Sequence, residues 1–380
     1  MMTSDATRTA YKWLRTGDEV FPASLAAIAA AKSSVRLEVY RYSPGTLGES
    51  VRDALIAAQK RGAYVRVLVD AFGSLGLPKN FLGELEGLGG DVRWFNPAAM
   101  MRYIFRDHRK MLVIDEQLAI VGGFNIGPQY EGDGVKSGWR DLAMQLEGPL
   151  AKQLALSFDE MFDRANLGHK RRPRRWRRAI QKSGPWPPEH IFSSGPGRGR
   201  NLIRVALRGD LAGARDVRII MAYFLPGWRL RQDMARIIRR GGRVQLILAG
   251  KSDVLMSQLA AQSLYRRLMK AGVEIYEYQP QILHAKLIVV DNVVYVGSSN
   301  LDPRSMRINY ELMIRFEDPQ MAEEARTIFT GDLKHSQPID AIEWQKTHTL
   351  WQRFQRRAAY WFLARFDPGL ARHAWRALPD

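Results

Sequence analysis

His108 to Asn125 (HRKMLVIDEQLAIVGGFN) and His284 to Asn300 (HAKLIVVDNVVYVGSSN) are two copies of one pattern, His-x-Lys-x4-Asp, 176 residues apart. Chance gives about 0.015 such matches in a chain of this composition, so two copies imply duplication. Inside each copy the text predicts a hairpin: MLVI, a turn at Asp115-Glu116-Gln117, then LAIV; and LIVV, a turn at Asp291-Asn292, then VVYV. With period two along a strand, His108 and Lys110 share a face, as do His284 and Lys286. Asp115 and Asp291 have the opposite parity and fall at the turns, where local hydrogen bonding explains a carboxylate better than catalysis does. Each hairpin ends in glycine and then asparagine, as Gly122-Gly123-Phe124-Asn125 and Gly297-Ser298-Ser299-Asn300. The spacing from the turn centres predicts that Asn125 lies beside His108 and Asn300 beside His284 across the ladder.

The duplication extends upstream in order. Val35–Gly45 resembles Val217–Gly227, Arg61–Val69 resembles Arg240–Leu248, and Gly89–Pro97 resembles Gly272–Pro280. Helix-like segments, Leu47–Arg61 and Arg229–Arg240, lie between these strand-like runs, so each half reads as β-α-β units. The expected fold is α/β: two homologous α-β-α halves related by a pseudo-twofold axis, with one active site at their interface. Residues 1–167 form the first half, 168–200 a basic Pro/Gly-rich linker containing KRRPRRWRR, 201–333 the second half, and 334–380 a basic amphipathic tail. In that tail Leu350, Trp351, Phe354, Ala358, Trp361, Phe362 and Phe366 form a stripe, expected either to pack on the second half or to lie in a membrane interface.

The recurring His, Lys and Asn suit a phosphodiester, whose negative oxygens need cations and amide donors while one oxygen leaves. Attack at phosphorus needs a nucleophile on one side and an acid on the other, and two histidines supply both. A neutral imidazole nucleophile needs its second nitrogen held, and the candidate carboxylates are Asp141 and Glu311, 33 and 27 residues after the histidines of their own halves. The chain has no cysteine, and its other histidines show no ligand spacing, so neither metal nor cofactor is expected. A net charge of +18 favours an anionic partner. The longest uncharged stretch, Gln117–Tyr130, has only 14 residues, too few to span a bilayer.

These motifs resemble the phospholipase D superfamily over residues 15–330. The closer likeness is to bacterial cardiolipin synthases, carried by Val121-Gly122-Gly123-Phe124-Asn125, Trp139-Arg140-Asp141-Leu142 and Ser298-Ser299-Asn300-Leu301-Asp302-Pro303-Arg304-Ser305. The resemblance implies a phosphohistidine intermediate, phosphate binding by Lys110, Lys286, Asn125 and Asn300, and histidines oriented by Asp141 and Glu311. Gly123 departs from the superfamily serine. The expected activity is phosphatidyl transfer between phospholipids with phosphatidylglycerol as acceptor; the alternatives are hydrolysis to phosphatidic acid and a nuclease. The expected partner is an anionic phospholipid surface rather than nucleic acid, at the cytoplasmic side of the bacterial inner membrane and held peripherally. The oligomeric state is open. Tyr103, Ile104 and Phe105, with Tyr223, Phe224 and Leu225, are expected either to form an apolar lip for acyl chains or to pack as ordinary core.

Overall fold

The computed structural model describes residues 9–96, 104–167, 186–196, 201–346, 349–369 and 371. They fall into two compact units, the first including Tyr310–Leu312 besides the N-terminal half.

In the first unit seven strands form one sheet: β1 (Ala10–Leu14), β2 (Ser34–Val39), β3 (Tyr64–Asp70), β4 (Asp91–Phe95), β5 (Met111–Ile114), β6 (Leu118–Gly122) and β7 (Ala143–Glu147). Their spatial order is β1-β7-β6-β5-β2-β3-β4. β2, β3 and β4 run parallel. The long helices Thr46–Lys60 and Pro149–Leu167 belong to the same unit. The predicted hairpin is the antiparallel pair β5–β6, in the register Met111↔Val121 to Ile114↔Leu118. β5 also lies antiparallel to β2, so the segment just before it starts at the middle of the sheet. Val35, Val65, Val67 and Leu55 are fully buried in this unit's core.

The second unit repeats that topology. Its strands are β8 (Glu189–Ser194), β9 (Asp216–Met221), β10 (Arg243–Ala249), β11 (Glu274–Tyr278), β12 (Lys286–Val290), β13 (Val293–Gly297), β14 (Glu311–Glu317) and β15 (Ser336–Pro338). The order β15-β11-β10-β9-β12-β13-β14-β8 matches the first sheet strand for strand, with β15 added at one edge. The basic run 168–185 of the expected linker lies outside the described residues, but the segment after it is not a bare linker, because Glu189–Ser194 forms the edge strand beside β14. Phe192 on that strand is fully buried, which supplies its reason to dock.

Both motif aspartates close the hairpins. Asp115 and Asp291 have φ of 51° and 48°, the left-handed region that a short polar side chain tolerates best. The Asp115 carboxylate accepts from the backbone N–H of Lys32 at 2.9 Å and of Ser33 and Ser34 at 2.8 Å, and from the Ser33 hydroxyl at 2.8 Å. Asp291 accepts from the backbone of Arg215 at 3.1 Å and Asp216 at 2.8 Å. Each ties its turn to the start of the adjacent antiparallel strand, β2 or β9. Partial burial pushes the Asp115 carboxyl up, but the bonds from Ser34, Lys32 and Ser33 outweigh it and hold the group below its ordinary value. A depressed carboxyl stabilises above its unfolded pKa and loses that contribution as pH falls through the folded one. Asp115→Ala is therefore expected to destabilise the fold by about 1–3 kcal/mol at neutral pH, with the gap from wild type closing in acid. Denaturant melts between about pH 7 and pH 2 check this; a pH-independent gap would remove the carboxylate from the explanation.

Candidate functional site

Period two does the first work in the first unit. His108 and Lys110 project to one side of the segment entering β5, while Arg109 between them turns the other way into an ion pair with Glu38 of β2 at 3.0 Å. Both partners are almost wholly buried. Asp107 is anchored too, its N–H donating to Asp70 at 2.8 Å. Burial pushes the Asp70 carboxyl up to about 7, against hydrogen bonds from the Gly73 and Asp107 backbones. Burial likewise raises Glu38 and Asp107, with Arg109 opposing the rise in both.

His108 N–H donates to the Tyr310 carbonyl at 3.0 Å, and Tyr310 N–H to the Arg106 carbonyl at 2.8 Å. This short parallel pairing sets Glu311 beside the imidazole, its carboxylate 3.1 Å from His108 Nδ1. Glu311 is fully buried and His108 is 8% exposed. An ionised carboxylate can only accept, so Nδ1 carries a proton, and in the neutral ring the lone pair then lies on Nε2. The Tyr40 ring packs edge-on at 5.0 Å from the His108 ring, and Lys110 Nζ lies 5.2 Å from the same tyrosine ring. Lys110 Nζ also donates to the His108 carbonyl at 2.7 Å.

In the second unit His284, Lys286 and Asn300 are all buried. Lys286 Nζ stands 2.9 Å from His284 Nδ1 and donates to the His284 carbonyl, the counterpart of the Lys110 bond. The two asparagines are held by one device: Asn125 Oδ1 accepts from Arg41 N–H at 3.1 Å and Asn300 Oδ1 from Tyr223 N–H at 3.2 Å. Arg41 and Tyr223 occupy matching places just past β2 and β9, so one backbone donor holds the amide oxygen in each half. The amides then differ. Asn125 Nδ2 donates to the Tyr130 hydroxyl at 2.6 Å, whereas Asn300 Nδ2 is buried without a hydrogen-bond partner. A buried donor with no acceptor is costly and is satisfied by an anionic oxygen.

Gly122 and Gly297 end β6 and β13. Gly123 has a local reason to differ from Ser298: a Cβ on it would run into the carboxylate of Asp141, a wholly buried group that accepts from Leu142 N–H at 2.8 Å. Glu311, one of the two carboxylates expected to hold a histidine, meets His108, 203 residues before it in the sequence. The reason is the Tyr310 pairing, a long-range backbone contact that spacing along the chain does not reveal. Of the two readings of the apolar lip, the burial favours ordinary packing. Tyr103 lies outside the described residues, Phe105, Phe224 and Leu225 are buried core, and the Tyr223 hydroxyl donates to Asp253 at 2.7 Å.

The sequence profile described as "Cardiolipin synthase, PLD-like domain" matches residues 25–162 and 210–333, both halves with both motifs. The chain belongs to the cardiolipin synthase family of phospholipase D-like proteins. Among relatives in this family, cardiolipin synthase B of Salmonella typhimurium is 32% identical over 366 residues, covering 93% of this chain and 87% of that protein. Cardiolipin synthase 1 of Bacillus cereus is 31% identical over 370 residues, covering 93% and 70%. The crystal structure of phosphatidylserine synthase from Haemophilus influenzae superposes with a TM-score of 0.72 at 15% identity, covering 95% of this chain and 94% of that one, which shows a common fold. As a cardiolipin synthase family member the chain is a phosphatidyltransferase.

If Glu311 fixes the tautomer of His108, Glu311→Gln should leave the melting temperature nearly unchanged and lower kcat by about 10²-fold or more, since an amide can present the wrong hydrogen-bonding edge. Single-turnover rates on purified protein check this; a rate within about threefold of wild type would deny Glu311 that role.

Proposed function

We propose that this chain moves a phosphatidyl group from one phospholipid to the hydroxyl of another, with phosphatidylglycerol as acceptor, through a phosphohistidine on His108. The observation that carries the reading is the buried Glu311 carboxylate on His108 Nδ1, which leaves Nε2 as the nucleophile. Nε2 attacks phosphorus, the bond from phosphorus to the leaving alcohol breaks, and His284 gives that oxygen its proton. The acceptor hydroxyl then attacks phosphorus while His284 takes its proton, and the phosphorus–nitrogen bond breaks. Lys110, Lys286 and the unpartnered amide of Asn300 stabilise the phosphoryl oxygens.

A lipid acceptor reaches phosphorus before water only where the protein sits on a bilayer. No helix among the described residues is long and apolar enough to cross one, so the proposed attachment is peripheral. The tail supports it. Helix Leu350–Trp361 packs through Arg356 and Ala359, Arg356 donating to Gln262 at 3.1 Å and stacking 4.6 Å over Trp344. The face that the sequence marked as apolar points outward, with Trp351 65%, Phe354 60% and Trp361 58% exposed. Exposed aromatics on a helix that also carries arginines suit the headgroup layer of an anionic membrane. The cytoplasmic leaflet of a bacterial inner membrane supplies that negative surface potential.

Vesicles of phosphatidylglycerol incubated with the protein should yield cardiolipin and glycerol, resolved by mass spectrometry. Phosphatidic acid as the main product would make the chain a phospholipase instead, and cleavage of nucleic acid offered in parallel would make it a nuclease. His108→Ala and His284→Ala should each abolish turnover in a protein that still melts cooperatively; substantial activity in either would end the two-histidine scheme. Joint replacement of Trp351, Phe354 and Trp361 by Ser should weaken sedimentation with anionic vesicles about tenfold or more without lowering the melting temperature, because these side chains contribute little to the core.

A further inference from the structure

A groove of about 1010 Å³ opens in the second unit between helix Leu202–Leu211, the first turn of helix Trp228–Arg239, the short helix Pro303–Arg307 and the tail at Tyr360–Arg365. Six arginines line it: Arg204, Arg208, Arg229, Arg231, Arg307 and Arg365. The opposing charge is slight. Asp302 is the one carboxylate among the lining residues, and its side chain caps the N–H of Ser305 at 2.7 Å. Arg208 is answered by Asp233 at 2.6 Å from outside the groove. The Nε and Nη1 of Arg231 are shut off from solvent and meet no acceptor. Burial, and then the neighbouring Arg307, Arg229 and Arg208, push the Arg204 guanidinium below its ordinary value, the mark of cations crowded together. The helix beginning at Trp228 adds an N-terminus whose Gly227 cap offers no side chain to its first N–H groups.

Between the arginines the lining is apolar, with Leu225, Leu230, Leu301, Met306 and Tyr360. At the mouth Trp228 is 60% exposed, and the tail that closes the groove through Tyr360 and Ala364 exposes Trp361, Phe362 and Phe366 alongside. An Arg304–Asp367 ion pair at 3.0 Å pins that part of the tail to the short helix.

We propose that this groove is a binding site for an anionic phospholipid, its phosphate held by the guanidinium groups of Arg204, Arg231 and Arg307 and its glycerol and upper acyl carbons laid on the apolar lining. Guanidinium forks match phosphate geometry, and a polar anion attached to a hydrocarbon matches a floor that a free ion or a nucleic acid backbone would leave uncovered. His284, Lys286 and Asn300 do not line the groove, so the lipid bound here is not the one being cleaved. The proposal rests on the phospholipid reading only for the kind of surface the protein meets, and its test reads binding, not turnover.

Dihexanoyl phosphatidylglycerol, kept below its critical micelle concentration, is titrated by calorimetry into His108→Ala protein, so that lipid is not consumed, and into the same protein carrying Arg204→Gln, Arg231→Gln and Arg307→Gln. The expected result is about tenfold or greater loss of affinity in the second protein, with dihexanoyl phosphatidylcholine binding weakly to both. Because Arg231 is partly buried, a second variant uses only the exposed Arg229→Glu and Arg307→Glu, which should weaken binding in the same direction while the melting temperature holds. Equal affinity in all three proteins would overturn the proposal. So would displacement of the lipid by inorganic phosphate at similar concentration, which would reduce the groove to an ion site, or tighter binding of a single-stranded oligonucleotide than of the lipid. Loss of phosphatidyl transfer in wild-type protein with groove binding intact would count against the proposed reaction and not against this site.

Discussion

Burying charge is the constraint on which the first half depends. His108 and Lys110 can face a site only if the residue between them faces the interior, and that residue is an arginine. The interior answers with Glu38, 3.0 Å away, and with the Ser157 hydroxyl at 3.1 Å. Removing one partner of such a pair would leave an uncompensated ion, which costs about 3–5 kcal/mol. The pair thereby locks the segment carrying His108 and Lys110 to β2. The second half solves the same problem without charge: the residue between His284 and Lys286 is Ala285, and the place of Glu38 on β9 is taken by Ile220, both buried. An ion pair and an apolar pair at matching places in one duplicated scaffold fit the observation that a well-packed apolar replacement can serve as well as a buried salt bridge.

The same comparison separates what duplication preserved from what each half altered. Preserved are the aspartate that ties each turn to the next strand, the lysine that donates to its histidine carbonyl, and the backbone N–H that fixes each asparagine. All three act on or through the backbone, so they tolerate drift in the side chains around them. Altered are the contacts that set chemistry: Tyr130 occupies the amide of Asn125 while the amide of Asn300 stays unmet, and Gly123 yields its side-chain space to Asp141. Two histidines with unlike surroundings suit the unlike roles proposed for them, nucleophile and acid, better than two identical sites would.

Legibility in the sequence followed the range of the interaction. The hairpins, their turns and the parallel strands are legible because period two and turn chemistry are local, and both sheets contain them at matching places. Glu311 could be marked as a carboxylate of the right kind, but its partner depends on the pairing of Tyr310 with Arg106 and His108, some 200 residues away in sequence. The edge strand Glu189–Ser194 was hidden by the prolines and arginines before it, which mask a short run whose one deeply buried residue is Phe192. Arg36 and Glu38, alternating with Val35, Leu37 and Val39 in a central strand, did carry a signal, for charges on the inner face of a sheet require partners.

The tail shows how a correct periodicity can point to the wrong face. Leu350, Trp351, Phe354 and Trp361 fall within one arc of the helical wheel, and the usual inference is that such an arc packs inward. Here the opposite arc packs, because Arg356 finds Gln262 and the Trp344 ring while Ala359 is small enough to let the helix approach its neighbour. Leaving several large apolar side chains in water forgoes about 1.5–3 kcal/mol each relative to burial, a stabilisation that only a partner surface can restore. The orientation that is worse for the isolated chain is the one that the proposed peripheral attachment requires, and it sets Trp361, Phe362 and Phe366 beside the arginine-lined groove on the same unit.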